Sequence, residues 1–507
     1  MDPLSILAAA LDPATLGVVF VCTLYGAFVG AMPGLTATMA VALLVPFTYF
    51  MSPVAAVSAI VATTTTAIFA GDISGALLRI PGTPASAAYV DDAHAIAKAG
   101  QPRTVLLVSL FASVAGGIIG VAILSLAAPQ LARFAAGFSS FETFWLATLG
   151  LTCALFVGGS STLRTMASLF VGLAVATVGI DVAVGHPRFT FGQVELLDGI
   201  GFIPAMIGMF AVAELMRDVE RGPRAPVGRF VVEPLGQATR DALAALRRRW
   251  LSVAGSGPLG AAVGALPGAG ADIAAWIAYA VARRTSREGG FGRGAMGGIV
   301  AGGAANNAAV AGAWTPALVF GIPGDSVTAI AIGVLMMKGL TPGPQIFTEQ
   351  GALVAALFGA FFAANLLMLV AGVLAILAAT WLLRAPRPVL MPLVLVLSLT
   401  GAFAINASPA ALWMALGLGL VGWLMARADI PIAPAILGIV LGRVVEDTFM
   451  VNMLKARGAF APFFERDVSF VLGLATLGLW AILLLRAGAE LVRPARPLTE
   501  TPHGEPQ

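Results

Sequence analysis

The chain has 507 residues, of which 59% are hydrophobic and 11% charged, whereas a soluble globular chain carries about 25% charged residues. A surface so poor in charge cannot face water throughout, which excludes a soluble enzyme or binding domain. The net charge of +3 calls for no nucleic acid partner, because an excess of Arg is what the cytoplasmic loops of membrane proteins carry.

Apolar stretches such as 104–128, 351–383, 388–406 and 468–485 are each long enough to cross a hydrocarbon core of about 30 Å. The expected fold is an all-α integral membrane protein in the lipid bilayer, with roughly 10–14 membrane segments counting half-crossings. Cys22 and Cys153 sit in apolar segments and read as small packed side chains. His94, His186 and His503 are scattered and make no metal cluster. No organic cofactor is expected.

In chain order, the first apolar segment is interrupted at Gly26-Ala-Phe-Val-Gly-Ala-Met-Pro-Gly34, with Leu35, Thr36, Ala37 and Thr38 following directly. The next contains the hydroxyl run from Thr63 to Thr66, then Asp72 and Arg79, and breaks at Ile80-Pro-Gly-Thr83. Ionisable residues are costly inside a membrane, so Asp72 and Arg79 read as functional. Asp91, Asp92, Lys98 and Arg103 come after this break. Residues 217–249 hold eight arginines against four acids, which marks a cytoplasmic linker. The expected division is a first membrane repeat over 1–216, the linker 217–249, a second repeat over 250–486 and a polar tail over 487–507.

A second basic cluster, Arg283, Arg284, Arg287 and Arg293, closes the segment that follows the linker. Between the two clusters, residues 251–282 are interrupted by Leu266-Pro-Gly-Ala-Gly-Ala-Asp272. Each side offers about 15 residues, or about 22 Å of helix, too short to span. With both ends cytoplasmic, the segment is expected to be a re-entrant hairpin whose tip lines a cavity, where non-helical backbone is tolerated. Further on, Asn306 and Asn307 lie inside an apolar run that breaks at Ile322-Pro-Gly-Asp325, followed by Ser326.

The two halves match. Gly26 to Gly34 aligns without gaps on Gly260 to Gly268 at a separation of 234 positions, and Ile80-Pro-Gly on Ile322-Pro-Gly at 242. A repeat of this length is a half-transporter rather than a solenoid unit. The loop near Tyr49 to Pro53, equivalent to the Arg283–Arg293 cluster, carries no charge. That asymmetry predicts inverted repeats with re-entrant or broken helices, the parallel arrangement being the alternative.

A single Pro-Gly pair can be a plain kink; four at equivalent positions point to a site. A helix that begins in mid-membrane offers free N–H groups and a positive dipole end, which attract an anion. The candidate substrate residues are Pro33, Gly34, Leu35, Thr36, Ala37 and Thr38, then Pro81, Gly82 and Thr83. The second half adds Pro267, Gly268, Ala269, Gly270, Ala271 and Asp272, with Pro323, Gly324, Asp325 and Ser326. Unwound carbonyls, amides and acids suit Na+ or H+ as a coupling ion. Asn306, Asn307, Thr63, Thr64 and Asp72 are the candidate ion ligands. The GxGxxG string Gly255 to Gly260 lies in a membrane segment after no predicted strand, so it is no dinucleotide fingerprint.

These residues resemble a family, the large membrane subunit TctA of tripartite tricarboxylate transporters. The likeness covers nearly the whole chain. It rests in the first half on Met32 to Thr38, Ile80 to Pro84 and Asp91 to Gly100, and in mid-chain on Gly179-Ile-Asp181, Arg188 to Gly192, Asp198-Gly199 and Ile207 to Glu214. The second half adds Ala265 to Ala271, Ala304-Ala-Asn-Asn-Ala308, Gly321-Ile-Pro-Gly324, Gly339 to Pro344, Leu437-Gly438, Leu441-Gly442 and Glu446.

The resemblance implies a permease of the bacterial inner membrane, partnered by a small TctB-like membrane subunit and a periplasmic TctC-like solute-binding protein. It implies uptake of a carboxylate, such as a tricarboxylate, driven by an ion gradient, usually Na+. This sequence departs from the family where Glu is frequent, at Gly297 and Gly303, and at Phe69-Ala-Gly-Asp72 and Arg79. Citrate is therefore not implied. The competing readings are a stand-alone ion-coupled transporter and a polytopic membrane enzyme. The latter would show a cluster of catalytic acids or histidines, which the sequence does not.

Overall fold

A computed structural model describes residues 12–32, 35–155, 161–181, 185–221, 232–266, 270–286, 288–382 and 408–492, with positions 392, 395–396, 399–400 and 403. The regular structure in these stretches is helical apart from one two-stranded antiparallel ribbon. The first half holds α1 (Pro13–Ala31), α2 (Ala37–Thr48), α3 (Pro53–Leu78), α4 (Val90–Lys98), α5 (Pro102–Ala135), α6 (Ser140–Ala154) and α7 (Thr162–Ala176). The ribbon, β1 (Gly179–Ile180) and β2 (Pro187–Arg188), leads through α8 (Phe202–Met206) and a π-helical turn, Ile207–Val212, into α9 (Ala213–Arg221).

The second half contains α10 (Leu235–Arg248), α11 (Trp250–Gly264), α12 (Gly270–Thr285), α13 (Met296–Phe320), α14 (Ser326–Met337) and α15 (Ile346–Glu349). It ends with α16 (Gly351–Leu382), α17 (Pro409–Arg427), α18 (Ala433–Lys455) and α19 (Asp467–Val492). Six of these helices, α1, α3, α5, α16, α17 and α19, are long and apolar enough to cross a membrane, making this a multi-pass, all-α membrane protein. Three shorter apolar helices, α2, α7 and α14, accompany them. The hairpin expected over 251–282 is α11 and α12, of 15 and 16 residues; its tip, 267–269, lies outside the described residues.

Local chemistry sets where the helices start. Asp12 accepts from the Thr15 N–H at 2.8 Å with Pro13 next in line, and Ser52 before Pro53 and Ser408 before Pro409 repeat the pattern. A polar cap satisfies an orphan N–H, and proline at the first position loses no hydrogen bond. The buried helix α13 has no such cap of its own. Asp92 accepts from Gly294 and Ala295 N–H at 2.7 and 2.9 Å, while Glu288 accepts from Met296 and Gly297 N–H at 3.1 Å. Arg249 holds Glu288 through two bonds of 2.9 and 2.8 Å. The first-half acid Asp92 thus ties α4 to the start of α13.

Small residues let the central helices approach backbone to backbone, the dominant packing mode where lipid removes the hydrophobic drive. A Cβ on Gly26 would lie 2.5 Å from the Thr63 carbonyl oxygen, and one on Gly30 would collide with Ala67. In the second half Gly260 meets Ala305 and Gly264 meets Ala309 in the same way. Thr63 and Ala305, like Ala67 and Ala309, are 242 positions apart, the separation that relates the second breaks. Helix α1 therefore runs alongside and parallel to α3, and α11 alongside and parallel to α13, with equivalent positions in contact. Gly264→Val is expected to destabilise the chain by ~1–3 kcal/mol, the usual cost of overpacking. Its thermal unfolding midpoint in detergent should fall, while Gly255→Ala, which meets nothing within 4 Å, should leave it unchanged.

Candidate functional site

Helices α2 and α14 begin side by side. Thr36 caps α2, accepting from Met39 N–H at 3.2 Å, and leaves Ala37 and Thr38 N–H without an intrahelical acceptor. The Thr38 hydroxyl lies 3.0 Å from that of Ser326 at the start of α14. The far ends also meet, Lys338 Nζ donating to the Tyr49 carbonyl at 2.5 Å. Leu35 and Ala37 are buried beside them. Asp325 turns its carboxylate back onto its own helix, accepting from Thr328 N–H at 2.7 Å in a capping box. The positive end of α14 is thereby partly compensated, so the uncompensated dipole here belongs to α2.

A contact of the same kind, one turn further along the helix, occurs on the other break. Trp276 of α12 donates its indole N–H to the Pro84 carbonyl at 3.1 Å, and Pro84 is the position equivalent to Ser326. Gly270 and Ala271 open α12, with Ala271 buried. Each half thus sends a helix from its first break to the second break of the other half. Pro33, Gly34, Pro267, Gly268, Ala269 and the side chain of Asp272 lie outside the described residues.

The second breaks share their geometry too. Arg79 ends α3 at φ 58° and Gly321 ends α13 at φ 67°, both left-handed C-caps at equivalent positions. Arg79 is exposed and paired with Asp91 at 2.7 Å. Beyond each cap the chain folds back on its helix: a Cβ on Gly82 would strike Gly71 backbone, lying 2.8 Å from its carbonyl oxygen, and one on Gly324 would lie 2.7 Å from Ala313 Cα. Pro81 and Pro323 precede these glycines and withhold an N–H. Thr83 and Ser86 exchange bonds, Ser86 N–H donating to Thr83 Oγ1 at 3.1 Å.

Between the breaks, α3 and α13 cross at a buried polar seam. Asn307 donates to the Thr65 carbonyl at 3.1 Å and Asn306 to the Tyr89 hydroxyl at 3.5 Å. Tyr89 donates to both Asp72 oxygens at 3.0 and 3.1 Å, and Ser109 of α5 donates to the same carboxylate. Asp72 is 4% exposed, and no Lys, Arg or His among the described residues pairs with it. Thr63 donates to the Cys22 carbonyl at 3.4 Å and Thr64 to Ile60 at 2.7 Å. The oxygens left over are Thr65 Oγ1, Thr66 Oγ1 and Asn307 Oδ1, all buried without a partner. Such orphans in a hydrocarbon interior ask for a ligand. A carboxylate with hydroxyl and amide oxygens is a hard donor set that suits a small cation.

Sequence reasoning did not single out Tyr89, Ser109 or Ser113, the last of which donates to the Gly303 carbonyl at 3.4 Å. Ser109 and Ser113 stand four apart in an apolar run, a same-face polar pair that could have flagged them. The separation of 242 carries Asn306-Asn307 onto Thr64-Thr65, a second usable signal. The mid-chain residues gather elsewhere: Arg188 bonds Glu446 at 2.7 Å and Asp181 at 3.3 Å. The bond to Glu446 raises the Arg188 pKa above its usual value. Arg443 donates to the Asp198 carbonyl at 3.1 Å, fastening the ribbon's return to α18.

Comparison with known proteins gives the same direction. The family model for the tripartite tricarboxylate transporter TctA family matches residues 16–437. A protein of Agrobacterium vitis described as an uncharacterized 52.8 kDa protein in the TAR-I ttuC' 3'region is 32% identical over 477 residues, covering 94% of each chain. A second from that organism, described as an uncharacterized protein in the TAR-II ttuC' 3'region, is 30% identical over 226 residues, covering 44% of this chain and 93% of its own. No solved structure matches. The chain belongs to the tripartite tricarboxylate transporter TctA family.

Proposed function

We propose that the protein is the permease subunit of an ion-driven tripartite transporter that imports an organic carboxylate across the bacterial inner membrane. A periplasmic TctC-like binding protein delivers the carboxylate and a small TctB-like subunit completes the membrane complex. The observation that carries this reading is the reciprocal meeting of the breaks, Thr38 with Ser326 and Trp276 with Pro84, on either side of the seam where Asn307 reaches Thr65. The anion takes the open N–H groups of the break helices. Na+ takes the unpartnered oxygens of Thr65, Thr66 and Asn307, with Asn306, Thr63 and Thr64 in the surrounding layer and Asp72, two turns further along α3, supplying the negative charge of the seam.

Two repeats of inverted topology, 1–216 and 250–486 joined by a cytoplasmic 217–249, fit the crossing. Passing from Thr65 to Asp72 along α3 leads back from Asn307 towards Gly302 along α13, since Tyr89 packs on Gly302 as well as bonding Asp72. Antiparallel buried helices, each parallel to its own half's first helix, are what an in-plane pseudo-twofold produces.

The reading is tested with proteoliposomes holding this chain and the small subunit, with loaded binding protein outside and a panel of labelled citrate, succinate and malate. Uptake should need the binding protein and an inward Na+ gradient, and ATP should add nothing. Uptake indifferent to both binding protein and ion gradient sinks the proposal. In the same assay Asn307→Ala should raise the Na+ concentration for half-activation by about tenfold, the size of one lost ligand of ~1.4 kcal/mol. An unchanged Na+ activation curve removes Asn307 from the ion site.

A further inference from the structure

A cavity of about 640 Å³ lies between the end of α5 and the loop that joins α14 to α15. Its wall carries Arg133, Thr143, Thr341, Gln345 and Thr348, and its floor includes Val319 and Phe320, the last residues of α13. The loop is fixed to that floor: Gly343 N–H donates to the Leu318 carbonyl at 2.9 Å. A Cβ on Gly321 would lie 3.1 Å from the Pro342 carbonyl oxygen, so the left-handed cap of α13 and the loop are in near contact. The cavity thus opens one residue from the break Gly321–Gly324.

Arg133 supplies the charge. It is exposed, and among the described residues it makes no ion pair and no hydrogen bond. The neighbouring acid, Glu142, is 1% exposed and already engaged by Arg466 at 3.0 Å and by Ser139 N–H at 2.7 Å. An unpaired guanidinium beside hydroxyls and an amide, in a cavity large enough for a small organic acid, is the chemistry of carboxylate recognition.

The side of the membrane follows from α5. Its first turn is bound to the Arg-rich linker, Arg103 donating to the Glu233 carbonyl at 2.9 Å and Thr104 N–H to the Glu233 carboxylate at 2.8 Å. Its 34 residues extend about 50 Å, more than the hydrocarbon core of about 30 Å. Arg133, in the last turn, therefore faces the side opposite the linker.

We propose that this cavity is an outward-facing vestibule in which Arg133 holds a carboxylate group of the substrate before it passes to the break at Gly321. This rests on the carboxylate-permease reading above. A lipid phosphate offers the same guanidinium a similar partner, so the test separates the two sources.

The half-saturating concentration for uptake is measured with citrate, succinate and malate in turn, in liposomes of phosphatidylcholine alone and in liposomes containing phosphatidylglycerol. Arg133→Gln should raise that concentration by about tenfold, the scale of one charge-assisted hydrogen bond, in both lipids, with maximal rate and thermal midpoint kept. Arg133→Lys should recover most of the loss. If half-saturation stays within twofold of wild type, Arg133 only complements the end of its helix and the vestibule is discarded. If it shifts only with phosphatidylglycerol present, the cavity is a lipid site and the proposal falls. Absence of uptake by the wild type with every probe overturns the permease reading, and the vestibule with it.

Discussion

Gly82→Ala is expected to lower uptake by at least about tenfold, a rise of ~1.4 kcal/mol or more in the transport barrier, while the protein still inserts and purifies at normal yield. The added methyl would sit against Gly71 backbone, 2.8 Å from its carbonyl oxygen, and a backbone cannot rotate aside as a side chain can. The break after α3 would be pushed off its helix, moving Thr83 and Pro84, the segment that receives Trp276. Gly324→Ala should behave alike, because its methyl would lie 2.7 Å from Ala313 Cα. Uptake rates normalised to reconstituted protein provide the check. Wild-type rates in both variants would mean that the second breaks are passive kinks.

Asp72→Asn is expected to abolish Na+ activation of uptake while keeping the fold. The amide still accepts from Tyr89 and Ser109 through its carbonyl oxygen, as the carboxylate does now, so shape and packing change little. The negative charge is lost, and with it the attraction for a cation in a site that has no other acid among the described residues of the seam. Desolvation makes a buried carboxylate without a cationic partner expensive, which is the physical argument that this one is kept for a ligand. Asp72→Ala is a harsher change, leaving two buried hydroxyls without an acceptor at about 1–3 kcal/mol each. Its thermal midpoint should fall where that of Asp72→Asn does not. A Na+ activation curve of wild-type shape in Asp72→Asn would assign the carboxylate a structural role instead.

Much of this was legible in the sequence, for identifiable reasons. Composition fixed the solvent, and the matched Pro-Gly strings pointed to a repeat, because a break in a membrane helix needs residue types that stand out in an apolar run. The separation of 242 recurs in the contacts of Thr63 with Gly26 and Ala305 with Gly260, which sequence spacing alone does not reveal. Asp72 was visible as a charge in an apolar segment; its partners were not. Tyr89 and Ser109 come from different elements, and nothing local in their sequence marks which face they present. Within the run Thr63–Thr66, residue type was uninformative. The structure has the first two hydroxyls bonded to backbone carbonyls and the last two without a partner, a distinction set by neighbouring helices. Asp92 resembled one of several loop acids, yet it caps α13 across the halves. Arg133 was not marked by its sequence context, because the cavity it lines is closed by residues 341–348, more than 200 positions away.

The central claim is that a carboxylate and a cation occupy one site built from both halves. Coupling of that kind is reciprocal: if Na+ tightens carboxylate binding by some factor, the carboxylate tightens Na+ binding by the same factor. The measurement is equilibrium binding of the transported carboxylate to the purified complex, titrated at several Na+ concentrations and fixed pH, with the converse titration of Na+. The account predicts that Kd for the carboxylate falls as Na+ rises, that the two factors agree, and that Asp72→Asn removes both. A carboxylate Kd independent of Na+ in the wild type would contradict it.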